Sequence, residues 1–396
     1  MKGRERILTR TPSGSASTPR LRIRWPRGLS ERRFLAEHWQ RKPLVVRGAL
    51  PGFRDCLPRR SLRALARRED VESRLVWHRG SRYRVAHGPQ RDADLARLST
   101  VDATLLVQGV DRQVPAVHAL LEAFSFVPRA RRDDLMVSDA APGGGVGPHV
   151  DSYDVFLFQA RGRRLWRIAR EFDPELDEDA PLRLLRRFEP EEEFMLEPGD
   201  FLYLPPGVAH DGIALDDCAT WSVGFRAPSA RELAAGWCAW LEDSIQEDLL
   251  YADPGLALQR SASWLSDDYV RTAARLIHPL AFDRRRFERF VGCHLTEPRD
   301  GVVFDAPRRP LGPEALAARA AQRGLALATA SALLWRTNTA FMNGEAVDLP
   351  PAAMPLVARL GDRRRLGASD SARALRNRSL GPALHDWYLA GYLAPA

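Results

Sequence analysis

A histidine and an aspartate two residues apart open a strand-like run near the middle of the chain. His149 and Asp151 belong to PHVDSYDVFLFQARGRRLWRI, which begins at Pro148. Residues two apart on a strand point to the same face, so both side chains are able to reach one ion. An imidazole and a carboxylate on a strand that otherwise buries apolar residues indicate a metal site.

A second histidine follows in EPGDFLYLPPGVAHDG. The glycine-proline-glycine-histidine spacing from Gly199 to His210 resembles the second motif of the cupin barrels, and Gly143, separated from His149 by five residues, begins a variant of the first. In such a barrel two antiparallel strands meet, one supplying an adjacent pair of ligands and the other a single imidazole. We therefore expect His149, Asp151 and His210 to form a facial triad.

The predicted donor set favours iron. Two imidazoles and one carboxylate on one face of an octahedral ion leave three positions open, as in non-haem Fe(II) oxygenases. Zinc also binds such a set, but structural zinc prefers four protein ligands, and the sequence offers no fourth candidate. The four cysteines are scattered without CxxC spacing, which argues against a zinc knuckle or a disulfide framework and fits a reducing cytoplasm.

An open iron site needs a reductant to activate oxygen, and 2-oxoglutarate supplies two electrons while it chelates the metal. Its distal carboxylate then needs a cation inside the barrel, for which arginine is a bidentate partner. In GRRLWRI, alternation places Arg164, Trp166 and Ile168 on one face. We expect this face to point inward and Arg164 to bind the cosubstrate. Thr220 and Ser222, on the strand after His210, are further cosubstrate-binding candidates.

Length and composition indicate a globular protein of two or three domains. The chain has 396 residues, of which 45% are hydrophobic and 28% charged. It contains no apolar stretch long enough for a membrane helix. Its start resembles a short disordered basic tail, with a transit peptide as the alternative. The net charge of +8 would suit an anionic partner, but the basic residues are nearly all arginine, a bias that base composition alone produces.

The pattern of apolar, charged and turn-forming residues divides the chain into four segments. We expect a basic tail over 1–20, a mainly β catalytic core over 21–228, an all-α domain over 229–297 and a winged-helix-like domain over 298–396. The all-α domain begins at SARE, which has the form of a capping box.

The last segment combines helix-like runs with one hairpin. The runs 313–323 and 328–334 are predicted helices, and Asn343-Gly344 between apolar runs predicts a type I′ hairpin. Helices flanking a small hairpin favour a winged helix. Basic residues of a recognition helix are confined to 363–365, so we do not expect direct nucleic-acid binding.

Three stretches together resemble the JmjC-type ribosomal oxygenases, in particular the bacterial ribosomal protein arginine hydroxylases. They are FLAEHWQRKPLVVRGAL, DLMVSDAAPGGGVGPHVDSYDVFLFQARGRRLWRI and GDFLYLPPGVAHDG, and the similarity continues through FMNGEAVDL to LHDWYLAGYL. The resemblance implies a cupin/JmjC double-stranded β-helix, a helical dimerisation domain and a C-terminal winged helix. It implies a homodimer that uses Fe(II), 2-oxoglutarate and O2 to hydroxylate an arginine of a large-subunit ribosomal protein.

The resemblance also carries roles to single residues. It implies iron ligation by His149, Asp151 and His210 and a cosubstrate contact from Arg164, while the bacterial members are expected to have asparagine where this chain has Thr220.

Three other functions stay open at this point. A JmjC-type demethylase or a histidine hydroxylase would share the iron chemistry, and a non-catalytic cupin would bind nucleic acid in a salt-dependent way. For the substrate pocket, the candidates are Met136, Ser138 and Tyr153.

Overall fold

The computed structural model describes residues 21–53, 55–99, 102–243, 245, 250–254, 258, 263, 265–277, 281–299 and 301–396. The expected basic tail, residues 1–20, lies outside the described residues. Within these ranges, no helix has the length and apolar character required to cross a membrane.

Two antiparallel sheets form the N-terminal part of the fold. Their strands are β1 Leu44–Val46, β2 Ser73–Arg79, β3 Arg82–His87, β4 Ala103–Val107, β5 Arg132–Ala140, β6 His149–Val150, β7 Asp154–Arg161, β8 Arg164–Ala169, β9 Glu192–Leu196, β10 Phe201–Leu204, β11 Ala209–Ala214 and β12 Cys218–Phe225. The larger sheet has the order β1-β10-β7-β12-β5-β4-β2-β3 and the smaller one β6-β11-β8-β9. Strands β2 and β3 form a hairpin.

The two sheets face each other across an apolar interior. Leu157 and Leu202 of the larger sheet pack in one cluster with Trp166 and Ile168 of the smaller sheet. Short helices cover the outer side of the larger sheet and pack against its aromatic residues. They are α1 Glu31–Glu37, α2 Arg59–Ala66, α3 Asp92–Leu95, α4 Val110–Gln113 and α5 Pro115–Leu121.

A helical segment follows the sheets. Helix α6 is Ala230–Asp243, α7 is Asp267–Ile277 and α8 is Arg284–Thr296. The predicted cap at SARE is present, because the Glu232 backbone N–H donates to Ser229 Oγ at 3.1 Å. Neither α6 nor α7 has a buried residue. These two helices therefore present their apolar side chains outside the cores of the described chain.

The C-terminal part has a separate apolar core. Its elements are α9 Pro313–Arg323, β13 Leu325–Leu327, β14 Leu333–Arg336, β15 Thr339–Met342, β16 Glu345–Asp348, α10 Met354–Arg363, β17 Arg365–Leu366, α11 Ala368–Arg376, α12 Leu380–Leu389 and β18 Leu393–Pro395. The predicted hairpin is confirmed: Asn343 and Gly344 both have positive φ, 50° and 91°, as a type I′ turn requires.

The predicted helix over 328–334 is wrong. Residues 329 and 330 form a turn, and Leu333 begins β14, where it pairs with Met342 of the hairpin. The Ala332 backbone N–H donates to Asn343 Oδ1 at 2.8 Å, and Ser331 Oγ donates to the Tyr392 carbonyl at 2.8 Å. These contacts with distant segments outweigh the local helix propensity of an alanine- and leucine-rich run.

Candidate metal centre

The three predicted metal ligands lie together at one end of the barrel. His149 is in β6, and Asp151 is the first residue after that strand. His210 in β11 stands opposite His149 in the β6–β11 pair. One ligand atom from each residue lies within 4.8 Å of the others. The two imidazole rings are 4.3 Å apart between centroids. This spacing allows all three side chains to bind a single ion.

Backbone carbonyls orient both imidazoles. His149 Nδ1 lies 2.9 Å from the Gly147 carbonyl oxygen, and His210 Nδ1 lies 3.0 Å from the Val208 carbonyl oxygen. A carbonyl only accepts, so each Nδ1 carries the hydrogen. Each Nε2 is then left with a free lone pair, as a metal ligand needs.

The electrostatics of the cluster favour a divalent cation. Burial, and secondarily His149, lowers the pKa of His210 to about 3, so this imidazole is neutral at neutral pH. Its Nε2 lies 3.7 Å from Asp151 Oδ2, a contact that is therefore not an ion pair. Burial raises the pKa of Asp151, against the opposing effects of His149 and Tyr153. A metal ion bound here would supply the missing positive charge.

Arg164 lies inside the barrel without a partner for much of its guanidinium. In the β8–β11 pair, Ile168 stands opposite His210 and Arg164 opposite Ala214, so Arg164 and His210 share a face. Arg164 is 3% exposed. Its Nε and Nη2 have no hydrogen-bond partner among the described residues, and its Cζ lies 5.6 Å from the Trp166 ring centroid. A buried cation of this kind needs an anion, and the distal carboxylate of 2-oxoglutarate fits that requirement.

Four of the residues predicted to bind cosubstrate or substrate lie on strands and share one face of the larger sheet. Ser138 stands opposite Thr220, and Met136 opposite Ser222, in the β5–β12 pair. Ser138 Oγ donates to the Thr220 carbonyl at 3.4 Å, and Thr220 Oγ1 donates to Gln159 Oε1 at 2.9 Å. Thr220 and Ser222 are both buried. The Thr220 hydroxyl hydrogen is thus held by a neighbouring strand.

Gln159 was missed by the sequence analysis. It is fully buried and stands opposite Thr220 in the β7–β12 pair. Its Nε2 donates to the carbonyls of Arg161 and Gly162 at 2.8 and 3.0 Å. The available signal was alternation along β7, which puts this amide on the same face as Leu157 of the barrel interior.

Tyr153 connects the triad to an open cavity of about 700 Å³. The ring is 37% exposed, and burial together with the charge of Asp151 raises the pKa of its hydroxyl. Segments that the sequence analysis did not single out form the other walls, including Glu297 and Arg299 between α8 and α9. Five carboxyl groups line the cavity: Asp70, Glu72, Asp133, Glu232 and Glu297.

Comparison with protein families gives two matches. Residues 119–233 match the JmjC domain, and residues 279–394 match the ROXA-like winged helix. The first match contains the triad, Arg164 and the candidate pocket residues of the barrel. The second contains the hairpin and the helices around it.

Two bacterial proteins resemble the chain over much of its length. The ribosomal protein uL16 3-hydroxylase of Escherichia coli is 33% identical over 374 residues, which cover 92% of this chain and 94% of that protein. A probable ribosomal oxygenase of Haemophilus influenzae is 32% identical over 307 residues, covering 69% of this chain and 74% of that protein.

Solved structures match at the level of the whole chain. A crystal structure of the Escherichia coli ribosomal oxygenase YcfD has a TM-score of 0.79 at 31% identity and covers 94% of this chain and 99% of that one. A structure of YcfD in complex with cobalt and 2-oxoglutarate gives the same TM-score, identity and coverage. The predicted arrangement of a β core, a helical region and a winged helix is confirmed.

Proposed function

Since the chain belongs to the JmjC-type ribosomal oxygenases, we propose that it hydroxylates an arginine side chain of a large-subunit ribosomal protein. It is a 2-oxoglutarate-dependent oxygenase whose cofactors are Fe(II), 2-oxoglutarate and O2. The observation that carries the proposal is the pairing, inside one barrel, of the His-Asp-His cluster with a buried arginine that lacks an anion.

Each side chain has a role in this proposal. His149, Asp151 and His210 hold the iron, and Arg164 binds the distal carboxylate of the cosubstrate. When bound, iron and 2-oxoglutarate supply the oxygen activation that attack on an unactivated C–H bond requires. No side chain of the chain has to act as an acid or a base. The protein's contribution is to orient ligands and to exclude water from the apolar barrel.

The cavity beside the triad supports a cationic substrate residue. Its five carboxyl groups outnumber the three arginines of the same lining, Arg112, Arg226 and Arg299, and so favour a guanidinium electrostatically. The exposed face of Tyr153 offers a cation–π contact at the inner end of the cavity. Met136 and Ser138, on β5, are further candidates for substrate contact. The Escherichia coli relative is named for hydroxylation of uL16. We therefore infer a ribosomal protein of the uL16 kind as substrate and a cytoplasmic site of action.

We also infer that two copies of the chain associate through the helical segment. Tyr269, Val270 and Ile277 of α7 are 48%, 49% and 65% exposed, and Phe282 just beyond is 69% exposed. Apolar residues grouped on one amphipathic helix are typical of an interface. Since no residue of α7 is buried in the described chain, a second copy would supply the cover that this helix lacks.

Intact-mass analysis tests the proposed activity. Large-subunit ribosomal proteins are incubated with the enzyme, Fe(II), ascorbate and 2-oxoglutarate, beside a His149→Ala variant. The expected result is a gain of one oxygen on a single protein, absent with the variant. His87→Ala serves as the matched control, because His87 is exposed and far along the sequence from the triad. Release of formaldehyde with a lighter product would instead indicate a demethylase.

A further inference from the structure

A second cavity, of about 130 Å³, lies where the catalytic core meets the C-terminal domain. Its walls come from the core around α4 and α5, from the end of α8 and the residues after it at 295–299 and 302, and from the winged-helix domain at 329–334 and Arg364. The volume equals that of about four liquid waters at roughly 30 Å³ each. It is therefore large enough for a small ion but too small for a peptide.

The lining is dominated by guanidinium groups. Six arginines line the cavity: Arg112, Arg129, Arg132, Arg226, Arg299 and Arg364. Three lining residues are acidic, Asp111, Asp133 and Glu297, and Glu122 stands close behind. Even with all four carboxyl groups ionised, the cluster keeps an excess of two positive charges.

The carboxylates that make ion pairs here are already shared between arginines. Glu122 accepts from Arg129 at 2.8 Å and from Arg132 at 3.2 Å. Asp133 accepts from Arg226 at 3.5 Å and pairs with Arg299 as well. Two carboxylates therefore form ion pairs with four of the six arginines. Neither carboxylate forms an ion pair with Arg112 or Arg364.

The side chains of the cavity that lack a carboxylate partner in the described chain come from both domains. Arg364 donates to the carbonyls of Ala328 and Ser331 at 2.6 and 2.9 Å and contacts no carboxylate in the described chain. The Arg112 guanidinium has no hydrogen-bond or ion-pair partner in the ranges that the structure describes. Both ring nitrogens of His118, on α5, are buried and without a partner among those residues.

The titration behaviour agrees with a positive potential that nearby carboxylates, Glu232 and Asp134 for Arg226 and Glu72 and Asp111 for Arg299, offset only in part. Burial, and next the charge of Arg112, lowers the pKa of both Arg226 and Arg299. Burial, and next the charge of Arg129, lowers the pKa of Arg364 to about 10. The His118 imidazole is kept neutral by burial and by Arg364, and a neutral imidazole still has one N–H to donate.

We propose that this cavity binds one tetrahedral oxyanion of the phosphate and sulfate class, contacted by Arg112, Arg364 and His118. Multiply charged oxyanions accept several charge-assisted hydrogen bonds and would neutralise the excess charge. Because the contacting groups come from the core and from the winged-helix domain, the bound anion would hold the two domains together. The cavity adjoins the open cavity beside Tyr153, with which it shares Arg112, Arg226 and Arg299. It is separate from the cosubstrate pocket, since Arg164 does not line it.

Calorimetric titration of inorganic phosphate and of sulfate tests the proposal. The protein is first saturated with Fe(II) and 2-oxoglutarate under anaerobic conditions, so that the cosubstrate pocket is filled. Potassium chloride at equal ionic strength is the blank. The expected result is saturable binding with one site per chain and a melting temperature that rises with anion concentration.

Arg112→Met is the decisive variant, because the Arg112 guanidinium has no hydrogen-bond or ion-pair partner among the described residues and methionine keeps much of the aliphatic volume. It should weaken anion binding by about tenfold or more, the usual effect of removing a charged hydrogen-bond donor. His118→Gln is a second variant at the same cavity. Arg60→Met is the control, since Arg60 is exposed on α2 and does not line the cavity.

Three results would overturn the proposal. One is no saturable binding to the folded wild-type protein. Another is binding that Arg112→Met leaves unchanged. The third is binding that disappears in Arg164→Met, which would place the anion in the cosubstrate pocket. The test does not depend on which residue or protein is hydroxylated.

Discussion

The carbonyl oxygen of Gly147 lies 2.9 Å from Nδ1 of His149 and fixes the tautomer of this imidazole. The residue that orients the imidazole ring is therefore a glycine two positions before His149. Gly147 has a φ of +84°, and a Cβ there would lie 2.9 Å from the Tyr83 ring. The conformation of this turn and the orientation of a metal ligand are coupled.

Gly147→Ala should therefore weaken metal binding without removing a ligand. The added methyl meets both an unfavourable φ and the Tyr83 ring, and the shift moves the carbonyl away from His149. Loss of a partner that orients a ligand costs roughly tenfold to a hundredfold in metal affinity. Isothermal titration with Co(II) measures the effect.

Gly80→Ala is the matched control, because Gly80 also has a positive φ but has no atom within 4 Å of an added Cβ. Equal metal affinities in the two variants would show that the Gly147 carbonyl does not orient His149.

Arg164→Met should raise the Michaelis constant for 2-oxoglutarate by about tenfold or more, since a bidentate charged contact is lost. In the protein without metal and cosubstrate, the same change should leave the free energy of unfolding unchanged or raise it by about 1 kcal/mol. The reason is that methionine removes a buried, unpaired cation from an apolar site.

Steady-state succinate formation and urea unfolding measure the two effects. A Michaelis constant within twofold of the wild-type value would assign the cosubstrate contact to another cation.

Val270→Asp should convert a dimer to monomers, because a charge would enter the apolar face of α7 that we expect a second copy to cover. Sedimentation velocity measures the change in mass. Arg271→Asp, on the neighbouring exposed position, is a control for charge alone. A wild-type protein that sediments as a monomer would refute the inferred interface.

The free energy of unfolding should decrease in acid, partly because of the buried His118 imidazole. Burial and the charge of Arg364 lower its pKa to about 3 from an ordinary value of 6.5, while Glu122 opposes this shift. Arg129 and Arg132 face it too and reinforce the lowering. Between the two values the unfolded chain binds the additional proton, so the contribution of His118 is full above pH 6.5 and is lost as the pH falls toward 3.

Urea unfolding of wild type and of His118→Gln at about pH 7 and about pH 5 isolates this residue from the carboxylates. The wild-type protein should lose about 2 kcal/mol more than the variant over this interval. Equal losses would mean that His118 is protonated in the folded protein.

Structural features that depend on local sequence spacing or on a sequence motif could be predicted from the sequence. The His149 and Asp151 pair, the distant His210 at motif spacing and the turn at Asn343 and Gly344 each depend on residues that are close in sequence or set by a turn. Alternation along GRRLWRI likewise indicated which face of β8 Arg164 would occupy, and the structure places it on the face that His210 shares.

Features that depend on which segments meet were not predictable in this way. Gln159 opposes Thr220 only through the register of β7 and β12, which neither strand specifies alone. The helix expected over 328–334 gave way to pairing with the hairpin. The arginine cavity joins Arg112 to Arg364, so its charge excess arises only when two domains pack.

The most direct test of the central claim follows the oxygen atom. A recombinant uL16-type protein is incubated under ¹⁸O2 with the enzyme, Fe(II) and 2-oxoglutarate, beside Asp151→Asn, and the product is fragmented in the mass spectrometer. The account predicts one ¹⁸O on an arginine side chain with the wild-type enzyme and none with the variant. An unmodified substrate despite 2-oxoglutarate turnover, or a product that Asp151→Asn forms equally well, would contradict it.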